Sequence, residues 1–300
     1  MSEIQQESRL TKATHKMSFF RARRGKLSPF ATLIVHVILI VASLFMLYPI
    51  LRVLTVALRP GDRLLSTSLA IIPQDATFAN FIQVLTEKNM ILWIWNSAVI
   101  TIFTAFIGVA LASTSAYAFS RWKFPGRTFG LIFLLTTQMI PAAMMMVPLY
   151  ILAVNLRLIN TYVGLVLAYS VGSIPFSIWI LKGYYDTIPP QLEEAAMIDG
   201  ASRMYAFRVI LLPLTKPALA IIFLFNFMQA WNDFLLARVM LQREVMKTWP
   251  LGLQSLQQQF QTSWGMFAAG ALIVGIPVVV LFLYSSKWLV SGLTLGSVKG

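Results

Sequence analysis

Long apolar segments separated by short polar stretches dominate the pattern of this chain. A helix needs about 20 apolar residues to cross the hydrocarbon core of a bilayer, which is about 30 Å thick. The segments are rich in Leu, Ile, Phe and Ala and lack the short alternation of barrel strands. We therefore predict an all-α polytopic membrane protein with six transmembrane helices. The six segments are roughly 31–57, 94–119, 129–153, 162–181, 215–237 and 267–287.

Two regions outside these segments have patterns of their own. Residues 1–28 are polar and basic and are predicted to form a cytoplasmic segment ahead of a transmembrane domain over 29–300. The first apolar segment is too long for a signal-peptide core and is followed by no A-x-A-like site, so we interpret it as a retained span. Apolar residues in the next loop recur at helical spacing, which predicts a short amphipathic helix at the membrane surface. They are Phe78, Phe81, Ile82 and Leu85.

Three prolines, Pro141, Pro148 and Pro175, fall within the third and fourth predicted spans. A proline inside a helix removes a backbone hydrogen bond and bends the helix. Such bends line cavities in transport proteins, but they also arise from ordinary packing between helices, and the pattern leaves both readings open. The methionine run 144–146 is interpreted as flexible core filling.

Composition and charge narrow the class further. The chain is 58% hydrophobic and 12% charged, with a mean hydropathy of +0.73, which excludes an ordinary soluble domain. The net charge of +13 is unevenly placed, with sixteen basic residues in segments on one side of the predicted membrane and seven on the other. The positive-inside rule then predicts that both termini are cytoplasmic. Charge of this kind reports topology, and no nucleic-acid partner is expected. The absence of cysteine excludes disulfides, cysteine metal sites and a thiol nucleophile.

A polar island between the fourth and fifth spans is predicted to form two short helices over about 189–213. Proline at 189 and 190 suits a helix start, and two glutamates follow in the first turn, where the helix dipole favours negative charge. Gly200 is placed to end the first helix in a positive-φ conformation. Ser202 can cap the second helix, which we expect to run to about Leu212 and to end at Pro213.

The island carries the ordered pattern E-A-A-x3-G-x9-I-x-L-P. One interpretation is an amphipathic hairpin on the membrane surface, whose glutamates serve only the helix dipole. The complete spacing, in a loop that charge independently assigns to the cytoplasm, favours a site for a soluble partner. The candidate residues are Glu193, Glu194, Ala195, Ala196, Asp199, Gly200, Ile210, Leu212 and Pro213.

The pattern resembles the docking signature of sugar-type permease subunits of bacterial ATP-binding-cassette (ABC) importers, most of all the smaller maltose-type permease. The resemblance runs from about residue 30 to the C-terminus. Weaker motifs in the same order support it: Ala116–Arg121 with Phe124–Arg127, Leu158–Tyr162, Trp231–Phe234, and Gly292–Thr294 with Val298–Gly300.

The resemblance implies a mechanical role for the island. In that family the matching segment forms coupling helices in a cleft of the ATPase subunit, where the glutamate faces basic or polar groups and the glycine permits the sharp turn. The implied partners are a second permease in a heterodimer, two ATPase subunits and an extracytoplasmic solute-binding protein, in the bacterial cytoplasmic (inner) membrane with its lipid bilayer. The tail Ser297–Gly300 is a weaker candidate for an ATPase contact.

Polar residues in the fifth span are candidates for a solute pathway. Residues 226, 229 and 233 share one helical face, and an intramembrane carboxylate tends to face a cavity. Amides and an indole suit sugar hydroxyls and the apolar face of a sugar ring. Hydrogen bonding between helices is the alternative explanation. The candidates are Asn226, Gln229, Trp231, Asn232 and Asp233.

Motifs of enzymes are missing from the sequence. There is no G-x-x-x-x-G-K-[ST] phosphate loop, no H-E-x-x-H and no G-x-S-x-G. We therefore expect a transport subunit with no catalytic residue, no metal site and no cofactor of its own, with ATP and Mg on a partner ATPase. Cargo such as glycerol-3-phosphate or another polyol stays open, and an ion-coupled secondary transporter is the rival mechanism.

Overall fold

The computed structural model describes residues 27–60, 70–257 and 262–295, and every regular element within those ranges is helical. A π-helical segment lies at Phe207–Leu211, and a 3₁₀ turn lies at Glu244–Met246. The predicted N-terminal segment, apart from its last two residues, and the predicted C-terminal tail contact fall outside the described residues. The α-helices are α1 (Pro29–Leu58), α2 (Ala79–Thr86), α3 (Met90–Arg121), α4 (Arg127–Thr137), α5 (Ala142–Asn155), α6 (Tyr162–Asp186), α7 (Gln191–Ile198), α8 (Arg203–Ala206), α9 (Leu212–Leu214), α10 (Lys216–Asn232), α11 (Leu235–Met240), α12 (Trp249–Gln254) and α13 (Trp264–Leu295).

Four of the predicted spans are single helices long and apolar enough to cross a membrane: α1, α3, α6 and α13. The short helix predicted in the first long loop is also present as α2, in which Val84 is buried while Ile82 remains exposed. α1 packs along α13 but leaves apolar side chains such as Leu39 and Phe45 exposed. In a membrane protein such a surface faces lipid or another apolar chain.

The third predicted span is not one helix, because α4 and α5 meet at an angle of 101°. Pro141 lies at the N-cap of α5 with ψ 131°. A proline has no N–H for the preceding turn and disfavours helical conformation in the residue before it. The predicted span over 129–153 is therefore divided into two helices, and Pro141, one of the prolines expected to bend a span, accounts for the break.

The fifth predicted span is interrupted at both ends. The helix leading into it, Arg203–Leu214, is bent by 78° relative to α10. At the other end α10 stops at Asn232, short of the predicted residue 237. There the Asp233 carboxylate accepts hydrogen bonds from the backbone N–H groups of Leu236 and Ala237, both at 3.1 Å. These bonds satisfy donors in the first turn of α11, so Asp233 starts a new helix.

Three central helices, α3, α6 and α10, pack against one another. They meet at Asn226, whose side chain is fully buried and whose Oδ1 accepts a hydrogen bond from the Ser177 hydroxyl at 3.0 Å. Gly108 faces the same amide, and a Cβ added there would lie 2.5 Å from Asn226 Nδ2. Glycine at 108 thus permits the close approach of α3 to α10.

Candidate docking surface and solute cavity

The turn at Gly200 has the geometry expected of a helix stop. Gly200 has φ +89°, its N–H donates to the Met197 carbonyl at 3.1 Å, and the Ala201 N–H donates to the Ala196 carbonyl at 2.9 Å. This pair of bonds is a Schellman motif, which requires a left-handed residue that glycine adopts with least strain. The predicted positive φ at Gly200 is confirmed.

The second helix of the island begins as predicted but ends later. Ser202 caps α8, since its hydroxyl accepts from the Tyr205 N–H at 3.2 Å. Pro213 does not end the helix, which continues through the π-helical segment to Leu214. Because Pro213 offers no N–H and its ring would clash with the carbonyl four residues earlier, a wider π-turn relieves the strain.

Glu193 is a buried residue, 4% exposed, whose carboxylate points into the chain itself. Its Oε1 accepts from Arg121 Nε at 2.7 Å, and its Oε2 accepts from the Tyr117 hydroxyl at 2.8 Å. Both partners lie in the last turns of α3. An unpaired carboxylate here would carry a large desolvation penalty. Glu193 therefore holds α7 against α3 and, in this conformation, is not free to contact an ATPase.

The second helix of the island is anchored by aromatic contacts. The Phe207 ring lies 4.5 Å from the Tyr117 ring, centroid to centroid, and Phe207 and Leu211 are buried among the ends of the central helices. On the same side the Arg203 guanidinium lies 5.9 Å from the centre of the Trp122 ring, within range of a cation–π contact. The island is therefore a fixed surface rather than a loose loop.

The opposite side of the island faces outward. Among the predicted docking residues, Ala196, Ile210 and Leu212 are half-buried, and five are exposed: Glu194, Ala195, Asp199, Gly200 and Pro213. Apolar side chains stand beside them, among which Ile198 is 86% exposed and Tyr205 57%. Exposed apolar groups mixed with charges are typical of a protein-binding surface. We call this face, formed by the exposed residues of 192–209, the docking surface.

Sequence reasoning missed the anchors behind this surface. Arg121 and Tyr117 belong to the Ala116–Arg121 motif, which carried the family resemblance but suggested no role. The available signal was a tyrosine inside an apolar span, followed four residues later by an arginine at the end of that span.

A cavity of about 620 Å³ lies where the break between α4 and α5 faces α6 and α10. The predicted pathway residues Gln229 and Asp233 both line it, and Asp233 accepts a hydrogen bond from the Tyr169 hydroxyl at 2.9 Å. Pro141, at the break between α4 and α5, and Pro175, within the continuous helix α6, line it too. Gln138 and Gly172, which the sequence did not single out, also line it, and so does Met145 of the methionine run that was interpreted as core filling.

The other three predicted pathway residues lie outside this lining. Asn226 is buried between helices, and Trp231 is 2% exposed and stacks on Phe227 with ring centres 5.3 Å apart. The Asn232 amide donates to the Met228 carbonyl of its own helix at 2.9 Å. The three residues 226, 229 and 233 therefore do not act as one face, because α10 ends before Asp233.

Comparisons with known proteins agree with this architecture. Residues 105–292 match the family described as binding-protein-dependent transport system inner membrane component. The galactooligosaccharides transport system permease protein GanQ of Bacillus subtilis is 38% identical, over 88% of this chain and 94% of that protein. The maltose/maltodextrin transport system permease protein MalG of Salmonella typhimurium is 36% identical, over 89% and 96% of the two chains.

A solved structure has the same fold. A chain from a bacterial ABC transporter involved in the import of the acidic polysaccharide alginate matches with a TM-score of 0.76 at 22% identity, over 87% of this chain and 97% of that one. The family match covers the island, the Arg121 anchor and the cavity. This chain therefore belongs to the family of binding-protein-dependent transport system inner membrane components.

Proposed function

We propose that this chain is the transmembrane permease subunit of an ATP-driven ABC importer for a sugar or oligosaccharide. The observation that carries the proposal is the similarity to oligosaccharide permeases along almost the full length of both chains. In the proposed assembly a second permease completes the pathway, two ATPase subunits hydrolyse ATP, and a binding protein delivers the solute.

The docking surface is the proposed entry point for the ATPase cycle. Glu194 and Asp199 offer carboxylates to basic groups of a partner, while Ile198 and Tyr205 offer apolar area that is exposed in this chain. ATP binding shifts the balance between inward-open and outward-open states only by its differential affinity for the two. A surface fixed to the ends of the central helices is suited to transmit that difference.

We further infer six spans with both termini in the cytoplasm, each bent pair counting as one span. The uneven basic charge supports this topology. Contacts at the two ends of α3 support it as well. The island contacts the C-terminal end of α3, whereas the Asn96 amide, near its N-terminal end, donates to the Val245 and Lys247 carbonyls, so the two loops lie at opposite ends of this span.

The cavity favours an uncharged solute. Among the residues that line it in the described structure, Asp233 is the one carboxylate and none is Lys or Arg. A phosphate ester would meet this carboxylate without a cation to pair with, whereas sugar hydroxyls can hydrogen-bond to it and to Gln229 and Gln138. The proposal therefore favours neutral sugars over glycerol-3-phosphate.

Uptake by reconstituted vesicles tests the proposed function. The chain is purified from its native membrane with the subunits that accompany it, reconstituted, and supplied with its binding protein and radiolabelled maltodextrin, galactooligosaccharide or glycerol-3-phosphate. We expect neutral-sugar uptake that requires ATP on the ATPase side. Uptake driven by an ion gradient without ATP would contradict the proposal and establish a secondary transporter.

Replacing Gln229 with leucine is expected to weaken solute handling. The exposed amide lines the cavity, and loss of a hydrogen bond to a sugar hydroxyl raises the KM for uptake by about 3- to 10-fold. The matched control is Asn232→Leu, which removes an exposed amide of the same helix outside the cavity lining. KM values from uptake assays decide the matter, and an equal effect of both variants would remove Gln229 from the solute path.

A further inference from the structure

Arg121 connects three separate elements at the island end of the molecule. Its Nε donates to Glu193 of α7 at 2.7 Å, and its Nη1 and Nη2 donate to the carbonyls of Tyr185 and Ile188 at 3.1 Å each. Arg121 is itself the last residue of α3, while Tyr185 lies in the last turn of α6. One guanidinium thus joins the ends of two spans to the first helix of the docking surface.

Burial and hydrogen-bonding geometry both disfavour separation of the Arg121–Glu193 ion pair. The charged side chains of Arg121 and Glu193 are 10% and 5% exposed, so separating them would leave two buried charges unpaired. Arginine supplies several donors in a rigid plane, which a lysine cannot replace. The carbonyls at the end of α6 also carry the negative end of that helix dipole, which favours a cation.

The covalent connection between α6 and α7 is stiff as well. It consists of Thr187, Ile188 and two prolines, and the Thr187 hydroxyl bonds back to the Tyr184 carbonyl at 2.7 Å. Proline fixes φ and restricts the residue before it. α7 is therefore held to α6 through the chain and to α3 through Arg121, whereas the Gly200 turn is the point where the two island helices change direction.

We infer that Arg121, with Glu193 and Tyr117, is a clamp that makes α7, the end of α3 and the end of α6 move as one body when the ATPases act on the docking surface. Arg121 is a positioning residue, since its contacts lie within the chain, behind the docking surface. The inference rests on the proposed function. It assigns to this ion pair the step that turns motion of the docking surface into motion of the spans.

A distance measurement in the working complex tests the clamp directly. The chain contains no cysteine, so Lys123→Cys and Gln191→Cys, both at exposed positions, can carry a pair of spin labels. In the otherwise native chain we expect the same mean distance and width with and without ATP. If ATP binding shifts the mean distance in this chain, whose Arg121, Glu193 and Tyr117 are all native, then α7 moves relative to the end of α3 and the inference is overturned.

Arg121→Gln supplies the complementary test. We expect the distance distribution to broaden and uptake to fall by about tenfold, while the ATPase subunits still co-purify and hydrolyse ATP. Arg121→Lys, which keeps the charge but not the fork of donors, should recover part of the uptake. The matched control is Lys247→Gln, which removes an ion pair local to the 3₁₀ turn near the other end of α3, with Nζ 2.6 Å from the Glu244 carboxylate, and should leave both readouts unchanged.

The outcomes separate the clamp from the proposed function. Uptake and ATP hydrolysis that fall in parallel in Arg121→Gln, with an unchanged distance distribution, would make Arg121 a merely structural residue and overturn the clamp. Loss of the ATPase subunits from the purified Arg121→Gln complex would make it a docking determinant, which also overturns the clamp. Failure of the unmodified complex to take up sugar with ATP would instead reject the proposed function.

Discussion

Replacing Gly200 by aspartate is expected to abolish solute uptake while the protein still accumulates in the membrane. A non-glycine residue at φ +89° carries about 1–3 kcal/mol of strain, which is smaller than the usual stability of a folded domain. The new carboxylate would also stand at the C-terminal end of α7, where the dipole disfavours it, and next to Asp199 on the docking surface. We expect the fold to tolerate this change and the contact with the ATPase to be lost.

Membrane content by immunoblot and ATP-dependent uptake measure this prediction. Gly126→Asp is the matched backbone control, because Gly126 has φ +85°, has equally open space around its Cα and is not part of the docking surface. Both variants impose similar backbone strain, although the carboxylate at position 126 lies at the N-cap of α4, where the helix dipole favours it. Loss of uptake in Gly200→Asp but not in Gly126→Asp therefore shows that backbone strain alone does not abolish transport. Normal uptake by Gly200→Asp would remove the island from the coupling pathway.

Asn226→Asp is expected to destabilise the protein more than any other change at the predicted solute pathway. The side chain is fully buried where α3, α6 and α10 meet, and its Oδ1 accepts from Ser177. The native Nδ2 is already buried without a hydrogen-bond partner, so the new cost comes from the carboxylate, which either stays charged in an apolar site or takes up a proton. We therefore expect about 2 kcal/mol of lost stability.

Thermal unfolding of the purified variant in detergent measures this loss. Asn232→Asp is the control, since the same substitution six residues later falls on an exposed amide of α10 and should change the unfolding temperature little. An Asn226→Asp protein with native stability and a raised KM for uptake would contradict a packing role and return Asn226 to the solute path.

Much of the fold follows from apolar length alone, because bilayer thickness and backbone hydrogen bonding leave few alternatives to long helices. The hydrophobic pattern could not predict where a span breaks. Pro141 sits at a break, whereas Pro148 and Pro175 lie inside continuous helices. Proline interrupts the helix at one position and is accommodated within it at two others, because packing against neighbouring helices decides whether the helix continues past the missing hydrogen bond.

The candidate site was predictable to the level of local geometry. The Gly200 turn and the Ser202 cap depend on neighbouring residues only, and both form as expected. The inward orientation of Glu193 depends on Arg121, 72 residues earlier, and no local signal reports that contact. Likewise the amides of Asn226 and Gln229 look alike in the sequence, and only the packing of α10 separates a buried one from one that lines a cavity.

A photo-cross-linking amino acid at position 198 tests the central claim most directly. The side chain of Ile198 is 86% exposed on the docking surface, whereas Phe78, beside α2 and remote from the island, is 69% exposed and provides the matched position. In the transporting complex, irradiation should join position 198 to an ATPase subunit and should give no such product from position 78. A complex that transports solute with ATP yet gives no adduct between position 198 and the ATPase would contradict this account.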